Sequence, residues 1–213
     1  IAHGAVQDII NRKTDYIFLP HFRDMESYEE IAPASFCPIT QGLPYYIKMA
    51  FPEIPEEKYL APVVSFMYGL EKATEHFVAL GARLGFSEKE AREAFDTAYK
   101  KQMECFDKFT ALGKEALAEA REAQRPVIAL LGRPYNSFTS DANMGIPRKF
   151  TSRGHSVIPF DILPFGDEVI YSNMYWYYGQ QDMKAATILK DEDNIFVTFI
   201  SNFSCAPDSF MLH

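Results

Sequence analysis

Five apolar runs in the sequence predict short strands, and the run at 126–132 predicts a strand that is buried on both faces. Runs of this kind, without polar alternation, are typical of the strands of parallel sheets. Pro62 lies inside the second run, so that strand is expected at an edge or a bulge. The five runs cover residues 15–20, 59–66, 126–132, 156–160 and 194–200.

Between these runs, apolar residues recur at spacings of three and four, which predicts helices. Gly85 supplies a helix C-cap, and Ser87 with Glu90 spells a capping box that opens a long helix. The polar residues 21–40 predict a loop. The predicted helices cover residues 1–12, 41–50, 70–84, 87–124, 142–153 and 171–190.

Strands and helices alternate along the last part of the chain, which predicts an α/β fold with doubly wound parallel sheets. A helix followed by a strand also opens the chain. We therefore predict a first α/β lobe over residues 1–69, a helical segment over 70–124 that connects the lobes, and a second α/β lobe over 125–213.

The predicted long helix carries an apolar stripe that only Gln102 interrupts. A stripe of this kind predicts one buried face and a solvated Glu- and Lys-rich face opposite. Cys105 falls in the stripe and is predicted to be a small core residue. The stripe consists of Phe95, Ala98, Gln102, Cys105, Phe109, Leu112 and Ala116.

Composition limits the classes of binding partner and the cellular compartment that we expect for this protein. The 213 residues carry a net charge of −8, which argues against an extended nucleic-acid footprint and a polybasic membrane surface. No apolar run reaches the roughly 20 residues of a transmembrane helix. Three cysteines are too few for a disulfide scaffold, so we expect a reducing, cytoplasmic setting and leave thiol or metal chemistry open.

Polar residues directly after the predicted strands are candidates for a ligand site, because open α/β sheets bind ligands at the carboxyl ends of their strands. The alternative for Arg133 is a tight turn in which its guanidinium pairs with a nearby carboxylate. The candidates are Arg133, Tyr135 and Asn136 after the strand at 126–132, and Asp208 and Ser209 after the strand at 194–200.

Two of the cysteines lie beside proline in rigid turns. Cys37 directly precedes Pro38, and Cys205 lies two residues before Pro207. Backbone N–H groups in such turns can bond a sulfur atom, which suits thiolate ligation of an iron–sulfur cluster. The sequence contains no CxxC pair, so buried structural thiols are the alternative.

Motifs of several other classes are absent from the sequence. The five histidines show neither HxxxH nor HExxH spacing, which argues against a zinc site. There is no P-loop, no GxGxxG after a strand and no GxSxG, so a generic nucleotide-binding domain ranks last among the hypotheses.

Three segments together resemble one family, the acyl-CoA dehydratase activase-related proteins, which occur within or beside 2-hydroxyglutaryl-CoA dehydratase activator-like polypeptides. The resemblance covers most of the chain except the helical block at 70–123. It rests on ALLGRPYNSFTSDANMGIPRKFTSRGHSVIPFDILP, on MYWYYGQQDMKAATILKDEDNIFVTFISNFSCAPDSF, and on IAHGAVQDIINRKTDYIFLP together with FCPITQG.

This resemblance implies a link to the iron–sulfur subunits of 2-hydroxyacyl-CoA dehydratases, which are Rossmann-like α/β domains that hold a [4Fe-4S] cluster on three cysteines. Cys37 and Cys205 match two of these ligands. The family's third cysteine lies a few residues upstream of the AHG segment, before Ile1. We therefore expect a piece of a longer polypeptide that holds no cluster by itself. Ala206 replaces the family's usual glycine and would crowd the backbone near a cluster.

The leading hypothesis is accordingly an iron–sulfur domain that handles low-potential electrons, driven by an ATP-hydrolysing activator module, for chemistry on an acyl-CoA-type or other small substrate. Arg133, Tyr135, Asn136, Asp208 and Ser209 would then surround the cluster or line an anionic ligand. The alternative is a non-catalytic docking or regulatory domain that keeps the fold and has lost the cluster.

Overall fold

The computed structural model describes residues 2–26, 34–137, 139–140, 142–166, 173–202 and 205–211. Its contacts divide the chain into two compact units, with the division after Tyr99. Small parallel sheets and many helices form both units, so the predicted α/β class is confirmed. The division falls inside the long helix, and the three-part boundaries at 69 and 124 stay a prediction.

The first unit contains short strands between three helices. Three short strands and the first residues of α2 lie within residues 21–40, so the prediction of a plain loop there is wrong for the described part. The elements are α1 (Ala2–Asn11), β1 (Ile17–Phe18), β2 (His21–Phe22), β3 (Asp24–Met25), β4 (Ala34–Ser35), α2 (Pro38–Ala50), β5 (Tyr59–Leu60), β6 (Val63–Val64) and α3 (Thr74–Arg83).

Parallel pairing organises this unit. β1 pairs with β5 and β2 pairs with β6. Residues 17–22 therefore run alongside residues 59–64, and the pairing is interrupted near Pro62. The Pro62 carbonyl still accepts a hydrogen bond from the His21 N–H at 2.9 Å, which keeps the ladder in register across the break. β3 and β4 pair antiparallel beyond the carboxyl end of this ladder. The core of the unit contains Val6, Ile17, Ile47, Phe51, Ile54 and Tyr59.

The helix ends near residue 85 form as the sequence predicts. Gly85 has a φ of 86°, a conformation that favours glycine, and it closes α3. The Ser87 hydroxyl and backbone N–H both donate to the Glu90 carboxylate at 2.6 and 2.9 Å. This capping box starts α4 (Glu88–Glu122), the long helix that continues from the first unit into the second.

The second unit is a three-stranded parallel sheet with helices. Its strands stand in the order β8, β7, β9, so the chain leaves β7 to one side and returns to the other. The elements after α4 are β7 (Val127–Gly132), α5 (Pro134–Ser137), α6 (Ile146–Thr151), β8 (Val157–Pro159), α7 (Tyr177–Leu189), β9 (Ile195–Ile200) and α8 (Ala206–Met211). All three predicted strands and their parallel order are therefore confirmed, whereas α6 is shorter than the predicted helix at 142–153.

The C-terminal part of α4 packs on this sheet. Leu117 and Ala120 are buried in the core of the unit with residues of β7 and α7. At Gly113 the helix approaches the Ile162 carbonyl so closely that an added Cβ would lie 1.7 Å from its oxygen. A glycine is required there despite its low helix propensity.

The middle of α4 does not bury its apolar stripe. Phe109 and Leu112 are 38% and 51% exposed, and Cys105 is only half-buried. The prediction of a core position for Cys105 is therefore wrong. Helical periodicity predicts that a stripe shares one face, but it does not say whether another element covers that face.

Across the part of the chain that the structure describes, none of the helices combines the length and apolar character needed to cross a bilayer.

Candidate functional site

The second unit has a topological switch point at the carboxyl end of β7, where the chain departs to β8 on one side and returns as β9 on the other. Open α/β sheets bind their ligands at such points. Five residues meet there, and we call them the switch-point site: Gly132, Arg133, Asp182, Cys205 and Asp208.

A buried ion pair holds the switch-point site together. Arg133 Nε donates to Asp208 Oδ1 at 3.0 Å, and the two side chains are only 4% and 0% exposed. The Ser201 hydroxyl donates to the other Asp208 oxygen at 2.9 Å. The expected carboxylate partner of Arg133 therefore exists, and it is one of the predicted site residues. A buried pair of this kind is costly to break, because the remaining charge has no water.

Cys205 lies against this pair. Arg133 Nη2 donates to the Cys205 sulfur at 3.8 Å, and the Asp208 backbone N–H also bonds the thiol. Burial raises the pKa of the Cys205 thiol and the Asp208 carboxylate raises it further, and together they outweigh the lowering by the Asp208 N–H and by Arg133. The Cys205 thiol is therefore protonated at neutral pH. The Arg133 guanidinium and the Asp208 N–H favour the thiolate form, whereas burial and the Asp208 carboxylate disfavour it.

The other predicted residues lie around the switch-point site. Tyr135 is half-exposed and bonds Asn202, and burial raises the pKa of its phenol. Asn136 is buried, and its side-chain nitrogen has no hydrogen-bond partner in the part of the chain that the structure describes. Ser209 uses its hydroxyl to bond the Cys205 carbonyl at 3.0 Å, which braces the turn that carries the cysteine.

Asp182 is a member of the switch-point site that the sequence did not reveal. It is 3% exposed, its Oδ1 accepts the Gly132 N–H at 3.0 Å, and its Oδ2 has no hydrogen-bond partner among the described residues. Burial raises the pKa of Asp182 to about 7, although the Gly132 N–H and Arg133 oppose the change. An acid in the middle of a predicted helix gives no signal of this contact.

Gly132 brings the strands close enough for these contacts. Its φ is 128°, and an added Cβ would lie 2.2 Å from the Ile200 carbonyl oxygen of β9. No other residue fits between the ends of β7 and β9, so this glycine sets the shape of the backbone from which Arg133 projects.

Cys37 in the first unit, like Cys205 in the second, directly precedes a helix. It is the N-cap residue of α2, next to Pro38 at the first helical position, and its side chain makes no capping hydrogen bond. The antiparallel pairing of β4 with β3 and the bond from the Phe36 N–H to the Arg23 carbonyl bring the chain back to the carboxyl end of the parallel ladder just before Cys37. Its thiol is half-buried. Sequence reasoning missed the neighbours His21, Gln41 and Tyr45, which hydrogen-bond one another beside it.

In each unit, taken by itself, one cysteine lies near the carboxyl end of a parallel ladder, directly before a helix. In the described part of the chain, no three His, Cys, Asp or Glu side chains are grouped so that they could hold a metal ion. The roles assigned to Cys37 and Cys205 therefore stay predictions. Cys105, on α4, belongs to neither site.

These features define an α/β protein with a cysteine and a buried ion pair at the switch point of a parallel sheet. The family model described as CoA enzyme activase uncharacterised domain matches residues 1–163. The chain belongs to this family, and the match is consistent with the resemblance to acyl-CoA dehydratase activase-related proteins. The matched region includes Cys37 and Arg133 and ends before Cys205. No curated protein and no solved structure matched the chain.

Proposed function

We propose that this protein is an iron–sulfur domain that handles low-potential electrons in an ATP-dependent reductase or dehydratase system. The observation that carries the proposal is Cys205 at the switch point, with a guanidinium and a backbone N–H on its sulfur. Hydrogen bonds and positive charge at a thiolate are the means by which proteins tune such clusters. Membership of the activase-domain family supports the same function.

Cys37 and Cys205 would each supply one thiolate ligand. The donor type fits a [4Fe-4S] cluster, because iron in these clusters is bound by cysteine sulfur. Two thiols do not complete the three-cysteine ligand set that the resemblance implies. A third ligand, besides Cys37 and Cys205, would therefore be needed to hold the cluster. When bound, the cluster would supply one-electron chemistry, and Arg133 would offset negative charge on the Cys205 sulfur.

The partners follow from this function. The family description supports an enzyme of acyl-CoA chemistry as the partner, and an ATP-hydrolysing module in the same polypeptide or in another chain would deliver the electron. The substrate would be an acyl-CoA or another small molecule, and the setting would be the reducing cytoplasm. Tyr135 and Asn136 would line the approach to the switch-point site.

Cysteine substitutions in the full-length protein test the proposal. After anaerobic reconstitution, Cys37→Ser and Cys205→Ser should each lower the bound iron and sulfide, because each removes a ligand. Cys105→Ser is the matched control and should leave both unchanged. Unchanged iron and sulfide in both ligand variants, or an equal loss in the control, would contradict the assignment.

A docking or regulatory domain is the second candidate. It is favoured by two observations: Arg133 is already neutralised by Asp208, and no three-residue metal group occurs among the described residues. In this case the double variant Cys37→Ser and Cys205→Ser should keep its partner binding and the electron transfer of the assembled system. Loss of electron transfer with partner binding intact would favour the iron–sulfur domain.

A further inference from the structure

The backbone around Cys37 is held by one side chain from the next helical turn. The Gln41 side-chain amide nitrogen donates to the Phe36 carbonyl at 2.7 Å, and the Gln41 backbone N–H donates to the Cys37 carbonyl at 3.0 Å. The Phe36 N–H donates in turn to the Arg23 carbonyl at 3.0 Å. Gln41 therefore binds the carbonyls of two consecutive residues, which fixes the peptide that leads into Cys37.

These bonds determine the orientation of the Gln41 amide. A carbonyl oxygen only accepts, so the Gln41 atom that faces Phe36 must be the NH2 group. The amide oxygen then faces His21 Nε2 at 3.2 Å, which requires a proton on that nitrogen. His21 Nδ1 lies 3.1 Å from the Tyr45 hydroxyl, which donates to it when the ring is neutral.

The result is a chain of donors with one direction. Tyr45 donates to His21, His21 donates to Gln41, and Gln41 donates to the Phe36 carbonyl. Hydrogen bonds linked in this way polarise one another and strengthen the last bond in the series. Both ring nitrogens of His21 are engaged, so the ring supports Gln41 and is not free to act as a ligand.

The Cys37 side chain does not cap the helix that follows it. Ser, Thr, Asp or Asn at an N-cap position would bond the free N–H groups of the first turn. Cys37 occupies that position without any such bond. The turn is thus held from its carbonyl side by Gln41, and the Cys37 thiol makes no capping hydrogen bond.

We propose that Gln41, oriented by His21, is the positioning residue of the Cys37 thiol. The proposal rests on the proposed function, in which this thiol is a cluster ligand. Gln41 fixes the backbone before the cysteine, so the sulfur keeps only the rotation of its own side chain. A ligand that is pre-positioned in this way loses less conformational freedom on binding.

The test uses the chain with Cys105→Ser and Cys205→Ser, in which only Cys37 reacts with iodoacetamide. Gln41→Met removes both side-chain bonds at similar length, and Gln41→Glu keeps an acceptor for His21 but loses the donor to Phe36. Tyr45→Phe is the matched control, because it removes only the far end of the chain of donors. Nitrogen-15 NMR of the His21 ring reports its protonated nitrogen.

Both Gln41 variants should increase the alkylation rate of Cys37 about fivefold, the equilibrium factor that one lost hydrogen bond represents. Tyr45→Phe should stay within about twofold of the parent. The parent ring should carry its proton on Nε2. A parent-like rate in Gln41→Glu, equal rate increases in all three variants, or an Nδ1-protonated ring would each overturn the proposal.

Iron binding is measured separately in the full-length protein, with Cys37, Cys105 and Cys205 all unsubstituted. The proposed function predicts that Gln41→Met lowers the bound iron while circular dichroism stays unchanged. If no variant binds iron but the alkylation pattern is as expected, the function fails and the positioning of Cys37 by Gln41 stands.

Discussion

Replacing Asp182 by asparagine should change how the stability of the second unit depends on pH. The folded unit holds Asp182 with one oxygen on the Gly132 N–H and the other without a partner, 3% exposed. Burial raises its pKa to about 7. Asparagine keeps the oxygen that accepts the Gly132 N–H but is neutral at every pH, so the variant isolates the effect of the charge.

The size of the effect follows from linkage. An Asp in the unfolded chain has a pKa of about 3.9. Between about pH 4 and pH 7 the folded unit therefore keeps a proton that the unfolded chain has released, and stability falls as pH rises. Each pKa unit is worth about 1.4 kcal/mol, so the loss across this window is about 4 kcal/mol. Water entering the switch-point site would solvate the carboxylate and reduce this value.

Urea unfolding followed by tryptophan fluorescence measures this loss. Trp176 is the single tryptophan and lies directly before α7, so its signal reports on the second unit. Relative to the parent, Asp182→Asn should become steadily more stable from pH 4.5 to 7.5, whereas the exposed control Asp191→Asn should show no such trend. A stability difference that is flat with pH would mean that Asp182 is ionised in the folded protein, which would refute the reasoning.

Three further predictions concern stability. Asp208→Asn leaves the buried Arg133 charge uncompensated and should cost about 3–5 kcal/mol in urea unfolding; a loss below about 1 kcal/mol would show that the pair is solvated. Gly113→Ala should destabilise the second unit by about 1–3 kcal/mol because its Cβ meets the Ile162 carbonyl. Helix propensity alone predicts a gain in stability of about 1 kcal/mol. The sign of the change in the free energy of unfolding, measured by Trp176 fluorescence, decides between the two effects. Ser87→Ala should cost about 1 kcal/mol in thermal unfolding monitored by circular dichroism, and an unchanged unfolding curve would show that the capping box contributes nothing.

The elements that the sequence predicts well are those with local causes. Gly85 closes α3 because few other residues adopt its positive φ, and Ser87 meets Glu90 because they are neighbours on one helical turn. The strand after residue 126 forms where its apolar run predicts it, because a run that is apolar throughout must be covered on both faces. The beginning of α2 was predicted three residues too late, since Cys37 is a weak helix-start signal.

The candidate site was predictable only in part. The rule that ligands bind at the carboxyl ends of strands selected Arg133, Cys205 and Asp208, and these three are in contact. The sequence did not predict Asp182 as a site residue, because nothing in the sequence of a helix distinguishes an acid that faces a strand end from one that faces water. The sequence did not predict a role for His21, because histidines were considered only for metal-binding spacing. Its hydrogen bond to Gln41 depends on the tertiary structure.

The sequence by itself determined the helix caps and the two cysteines beside proline, because each of these depends on residues within a few positions of one another. The alternation of apolar runs and helical segments along the chain determined the α/β class and the parallel strands. Tertiary structure alone decided which charges are paired and which acid is buried. Arg133 and Asp208 are 75 residues apart, and Gly132 and Asp182 are 50 apart. Such pairs form only when α7 and α8 pack at the end of β7, and the same packing removes the water that would otherwise keep Asp182 ionised.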